Sequence, residues 1–132
     1  MTHGAIESMD QGEAIDRQHL HRATFGDRSL EHEVLQLFDR QASLLIARMR
    51  DGAGSGSGAG AKIGALAHTL KGSAAGIGAG AVARAAEATE RAAAGSAAEV
   101  SAAVDRLAQA VGEAQTLIAE LLRDRRLAQP QE

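Results

Sequence analysis

Apolar residues recur at spacings of three, four and seven along most of the chain. Leu30, Val34, Leu37, Phe38, Leu44, Leu45 and Met49 form the first long stripe. Such spacing puts side chains on one face of an α-helix and predicts an amphipathic helix there. A second stripe, Ile63, Leu66, Leu70, Ala74 and Ile77, predicts a helix from about Lys62 to Ile77. Val82, Ala86, Thr89 and Ala93 mark the inner face of an alanine-rich helix from about Ala81 to Ala94. Val100, Val104, Leu107, Val111, Ala114, Ile118 and Leu121 mark the last and longest one. No segment alternates with the period of two that a half-buried strand needs.

Polar punctuation separates these segments. A short helix is expected after Asp16, ending near Phe25 with Gly26 as its stop. Asp27 suits the N-cap of the next helix. Alternating glycines over residues 52–61 read as a flexible loop. Gly78 and Gly80 mark a tight break, and Gly95 another. Ser96 and Glu99 have the spacing of a capping box. Arg123, Arg125 and Arg126 suit a helix C-terminus, where the dipole favours cations. The expected fold is all-α: an antiparallel four-helix bundle with a short additional N-terminal helix. Residues 1–14 are expected as a tail, 15–124 as the bundle and 125–132 as a second tail.

Composition narrows the function. With 132 residues, one core is affordable but not two. Fourteen basic and seventeen acidic residues leave a formal charge of −3, which argues against a nucleic-acid partner. Cysteine is absent, so disulfides and thiolate metal sites are excluded. Phe25 and Phe38 are the only aromatic residues besides histidine, too few for a base-stacking platform. No apolar run reaches the length of a membrane span, and the first residues lack an apolar signal core. The expectation is a cytoplasmic, monomeric protein.

His68 carries the chemistry. With Leu66 at zero, Ile63, Leu70, Ala74 and Ile77 fall between roughly 20° and 80° on a helical wheel. His68 falls at roughly 200° and Lys71 at roughly 140°. Gly72, Ala75 and Gly76 spread from roughly 180° to 280°. The histidine thus points outward among residues with little or no side chain, with Thr69 at the edge of the same face. Glycine inside a helix costs about 0.5–1 kcal/mol relative to alanine. Two of them beside one exposed ring leave bare backbone for a large partner to approach. A neutral imidazole has a free lone pair near pH 7 and can attack a phosphoryl group. Lys71, three residues on, can set its ammonium beside the phosphoryl oxygens. The other ring nitrogen needs an acceptor to fix its tautomer, and the sequence does not name one.

Ala67 to Ala79, reading AHTLKGSAAGIGA, resembles the motif of the histidine phosphotransfer (HPt) domain family of multistep phosphorelays. The matching residues are His68, Leu70, Lys71, Gly72, Ser73, Ala74, Ala75, Ile77 and Gly78. Thr24-Phe25-Gly26-Asp27 and Leu35-Gln36-Leu37-Phe38 resemble the first segments of such domains, and the likeness spans about Asp16 to Leu122. It implies that His68 takes phosphate from an aspartyl phosphate on a receiver domain and returns it to another. It implies that Lys71 steadies the phosphoryl group and that Gly72 gives the receiver access. Gly76 departs from the asparagine frequent at that position. Glu90, on the next helix, is a candidate for the position where some relatives have a polar residue that touches the histidine. Gln41 and Arg84 are further candidates near the docking face. Partners would be receiver domains of response regulators or of a hybrid histidine kinase. No cofactor or metal is expected on this chain; Mg²⁺ would sit on the receiver. The protein would be a phosphoryl carrier and not an enzyme, without a kinase or ATP-binding domain, and would dock partners around His68 on its second and third helices.

Two other readings compete. In one the chain is a noncatalytic helical interaction module and His68 is incidental. In the other it is the dimerisation and phosphoacceptor part of a sensor kinase; Thr69 argues against that, because an acidic residue would follow the histidine. Gly54 to Lys62 lacks the Gly-Lys-Ser/Thr ending and preceding strand of a phosphate-binding loop. His19, His21 and His32 read as surface or packing residues, and His3 lies in the tail. Glu87, Glu90 and Arg91 read as a solvated helix face.

Overall fold

Asp16 starts the first helix by accepting hydrogen bonds from the Gln18 and His19 amides. In the computed structural model, which describes residues 13–53 and 58–128, five helices follow one another. They are α1 (Arg17–Ala23), α2 (Arg28–Ala53), α3 (Ala59–Ile77), α4 (Gly80–Ala92) and α5 (Ala97–Ala128). Asp27 accepts from the Leu30 amide and opens α2. Ser96 and Glu99 form the reciprocal capping box before α5. Each such cap is worth about 1 kcal/mol.

Helices α2 to α5 form a bundle in which α3 contacts α2 and α4, and α5 closes the ring against α4 and α2. The α2–α5 pairing is antiparallel: Arg50 meets Asp105, while Gln115 donates to the Asp39 carbonyl and the Ser43 hydroxyl. The core runs along the axis through Leu35, Phe38, Leu45, Met49, Ile63, Leu70, Val82, Leu107 and Ile118. Removing a Leu or Ile side chain from water contributes about 1.5–3 kcal/mol. Among the described residues there is no strand, and no helix is long and apolar enough to cross a membrane.

Short α1 covers the end where α3 turns into α4. The Asp16 amide donates to the Gly78 carbonyl. Gly78 has φ +81°, and a Cβ there would stand 2.9 Å from the Asp16 carbonyl oxygen and 3.1 Å from His19. Glycine is required by both the left-handed backbone and the closeness of α1. At the other end of the hairpin, a side chain on Gly60 would run into the Ala93 carbonyl, so α3 and α4 pack almost backbone to backbone there.

Several expectations need correction. Leu37 and Leu44 do not belong to the core; they are 57% and 50% exposed, and the buried residues of α2 include Leu35 and Ala42 instead. The glycine-rich loop is shorter than residues 52–61, because α2 continues to Ala53 and α3 starts at Ala59. Small side chains did not stop the helix there. Helix α5 runs to Ala128, past the expected boundary at 124. Ala14 packs against the core and is not part of a tail, while residues 1–12, and His3 with them, lie outside the described residues.

Candidate functional site

His68 stands at the middle of α3 on the face turned away from the core, between buried Ala67 and Leu70. Its side chain is 68% exposed. The ring Nδ1 lies 2.8 Å from Oε2 of Glu90, which projects from α4. The other carboxylate oxygen of Glu90, Oε1, lies 2.9 Å from the Lys71 ammonium. One carboxylate thus bridges two residues of the neighbouring helix, one oxygen to each.

The geometry fixes the ring. An ionised carboxylate can only accept, so Nδ1 carries the proton and donates it. In the neutral ring the lone pair is then on Nε2. Among the described residues Nε2 has no hydrogen-bond partner. The Lys71 ammonium, and after it the His68 ring, hold the Glu90 carboxyl below the usual carboxylate range. Glu90 in turn holds the Lys71 ammonium above its ordinary value. The depressed carboxyl contributes stability above its unfolded-state pKa and loses it as pH falls through the lowered folded value. The raised ammonium contributes below its unfolded-state pKa and loses it as pH rises through the raised folded value. The bridge is therefore intact across the neutral range.

The surface beside the ring is open. A Cβ built on Gly72 or on Gly76 meets nothing within 4 Å. These two glycines serve no packing inside the chain, unlike Gly60 and Gly64, whose Cβ positions face Ala93. Ala75 and Thr69 are exposed on the same helix, and the Thr69 hydroxyl donates to the Ala65 carbonyl. The exposed Leu37 and Leu44 occur on neighbouring α2.

Glu90 was expected both as a solvated helix residue and as a possible neighbour of His68; it contacts the ring. Glu87 does pair with Arg91 on the exposed side of α4. Arg84 is six residues before Glu90, about 9 Å along the helix axis, and does not join the bridge. Its guanidinium lies over Gly80, and it borders a cavity with Asp16, His19 and Ala75. Gln41 is half-buried on α2. Lys71, expected to steady a phosphoryl group, is held by Glu90 in the free protein. The exposed leucines were assigned to the core by the sequence and so were missed as surface residues. No group of three or more His, Asp or Glu among the described residues is placed to hold a metal ion.

The family model described as the Hpt domain matches residues 33–127, most of the chain. The chain belongs to the Hpt domain family, as its His68 motif implied. No curated protein and no solved structure matches it.

Carboxyl-detected NMR should place the Glu90 midpoint below the ordinary glutamate range. In Lys71→Met that midpoint should rise; an unmoved midpoint would contradict the bridge. Gly72→Ala should raise the melting temperature, with a stability gain of about 0.5–1 kcal/mol, since the methyl group enters open space on a helix. A lowered melting temperature would mean that the space is filled.

Proposed function

We propose that this Hpt-domain chain is a phosphoryl carrier that relays phosphate between receiver-domain aspartates through phosphohistidine at His68. The observation that carries this reading is the outward Nε2 lone pair on a ring whose Nδ1 proton is held by Glu90. In the forward step Nε2 attacks the phosphorus of an aspartyl phosphate. The N–P bond forms, the P–O bond to the aspartate breaks, and the aspartate leaves as a carboxylate. The ring becomes a phosphoimidazolium, whose positive charge is balanced by Glu90 against Nδ1. Transfer to a second aspartate reverses these steps, so the proton on Nδ1 keeps the ring a competent leaving group.

Lys71 has two acceptors available in this cycle. Before transfer it neutralises Glu90, which offsets the repulsion a lone carboxylate would exert on incoming phosphate. After transfer its flexible side chain can reach the phosphoryl oxygens while Glu90 retains the imidazolium proton. Gly72 and Gly76, with Thr69 and Ala75 beside them, leave room for the receiver. Leu37 and Leu44 supply the apolar part of the docking face on α2 and α3. Gln41 is a contact candidate on that face, and Arg84 a more distant one. Contact of moderate size suits a carrier that must release its partner.

The partners in this reading are receiver domains of response regulators, of a hybrid histidine kinase, or both. Mg²⁺ and most of the catalytic machinery belong to the receiver. The chain works as a monomer in the cytoplasm, without a cofactor or kinase activity of its own.

Intact mass measured after incubation with phosphoramidate tests the acceptor. The wild type should gain one acid-labile phosphoryl group and His68→Gln none. Equal labelling of the two proteins, or failure to label the wild type, would favour an interaction module in which His68 is incidental.

A further inference from the structure

A cavity of about 490 Å³ lies between the C-terminal half of α2 and the N-terminal half of α3. Arg48 and Asp51 border it from α2, and Lys62, Leu66 and Thr69 from α3. Thr69 follows His68 directly, and Ala65, also on the cavity wall, precedes it by one helical turn. The cavity therefore opens beside the histidine, on the side away from Glu90. Leu44, half exposed, is one turn from Arg48 and extends the apolar surface.

The charges here run against those of the chain. The protein carries a formal charge of −3, yet Arg48 and Lys62 face one carboxylate at this cavity, Asp51. Asp51 has an interaction of its own. The Arg48 and Lys62 side chains are exposed and have no hydrogen-bond or ion-pair partner among the described residues. Arg17 pairs with Glu13, Arg50 with Asp105 and Arg91 with Glu87, while the side chains of Arg22, Arg40, Arg84, Arg106 and Arg123, which do not border this cavity, are unpaired among the described residues too. Acidic Glu99, Asp105, Glu113 and Glu120 are on α5, which packs on α2 and α4 rather than beside α3. Arg48 and Lys62 thus border a recess with apolar Leu66 whose Thr69 wall adjoins His68, and Lys62 lies about 9 Å from His68 along the α3 axis.

A domain that carries phosphate on an aspartate and holds Mg²⁺ there needs further carboxylates as ligands. Such a domain therefore carries carboxylates near the transfer point besides the phosphorylated one. We propose that Arg48 and Lys62 anchor an acidic segment of the docked receiver, with an apolar side chain of that segment entering the cavity over Leu66. This inference rests on the carrier reading of His68 and deepens it. The two cations determine which receivers dock and in what orientation, because charges at the edge of an interface act mainly on encounter rate and partner choice. They take no part in the chemistry at Nε2.

The test uses the full chain and an isolated receiver domain charged with acetyl phosphate. The second-order rate of transfer to His68 is measured against NaCl concentration. R48E/K62E should lower that rate about tenfold at low salt and flatten its salt dependence. R106E/R123E changes the net charge equally on exposed positions of α5 and should stay within about threefold of the wild type. Phosphoramidate labelling of His68 should be the same in all three proteins, which separates docking from reactivity and folding. Wild-type rate and salt dependence in R48E/K62E, or an equal loss in R106E/R123E, would overturn the proposal. If the wild type labels with phosphoramidate but takes phosphate from no charged receiver, the relay reading fails and this inference fails with it. If phosphoramidate does not label the wild type, the carrier reading itself is at fault.

Discussion

One carboxylate on α4 reaches two side chains on α3 because the two helices meet through residues with almost no side chain. Gly60 and Gly64 lie against Ala93 at one end of the hairpin, and Ala67, Ala74 and Ala86 are buried with them in the core. Helices usually pack about 8–10 Å apart, and small residues give the lower end of that range. At such a distance a glutamate spans the gap and still has both oxygens free for different partners. Alanine-rich α4 buries little apolar area in return. Much of the core volume comes instead from Leu35, Phe38, Met49, Leu70 and Leu107 on the other helices.

The bridge resolves an apparent conflict of charge. A lone glutamate beside a phosphate acceptor would oppose the reaction. Here Lys71 cancels its charge before transfer, and the imidazolium does so afterwards in the proposed cycle. Glutamate and lysine are ionised in the neutral range by their ordinary values, and each widens the range over which the other stays charged. The same carboxylate fixes the tautomer, so the nitrogen left with the lone pair, the nucleophile of the proposed cycle, is set by the fold before any partner arrives. The open backbone at Gly72 and Gly76 complements this: the bare surface lies on the outer face of α3, away from the core.

Most of the fold was legible in the periodicity, the caps and the glycine stops, since each is a local property of the chain. The face of α2 was not. Two sets of residues there share the three-four spacing: Leu35, Phe38, Ala42, Leu45 and Met49 on one side, and Leu30, Leu37, Gln41 and Leu44 on another. Hydropathy favours leucine over Ala42, but burial is decided by where α3 and α5 lie. His68, Lys71 and the glycines were legible because they share one helical wheel. The acceptor on Nδ1 was obscure because it comes from another helix. Its signal was present in the turn: His68 and Glu90 are each eleven residues from Ala79, three helical turns on either side of the break. Arg48 and Lys62 gave no pattern at all, since only the α2–α3 packing brings them to one cavity.

Long-range ¹H–¹⁵N NMR of the His68 ring, before and after phosphorylation, addresses the central claim directly. The expected free protein has its proton on Nδ1 and a bare Nε2, and the expected product carries phosphate on Nε2 with the Nδ1 proton retained. In Glu90→Ala the free ring should shift towards the mixture of tautomers seen in an unconstrained histidine. Phosphate on Nδ1, or a bare Nδ1 in the free wild type, would contradict the account.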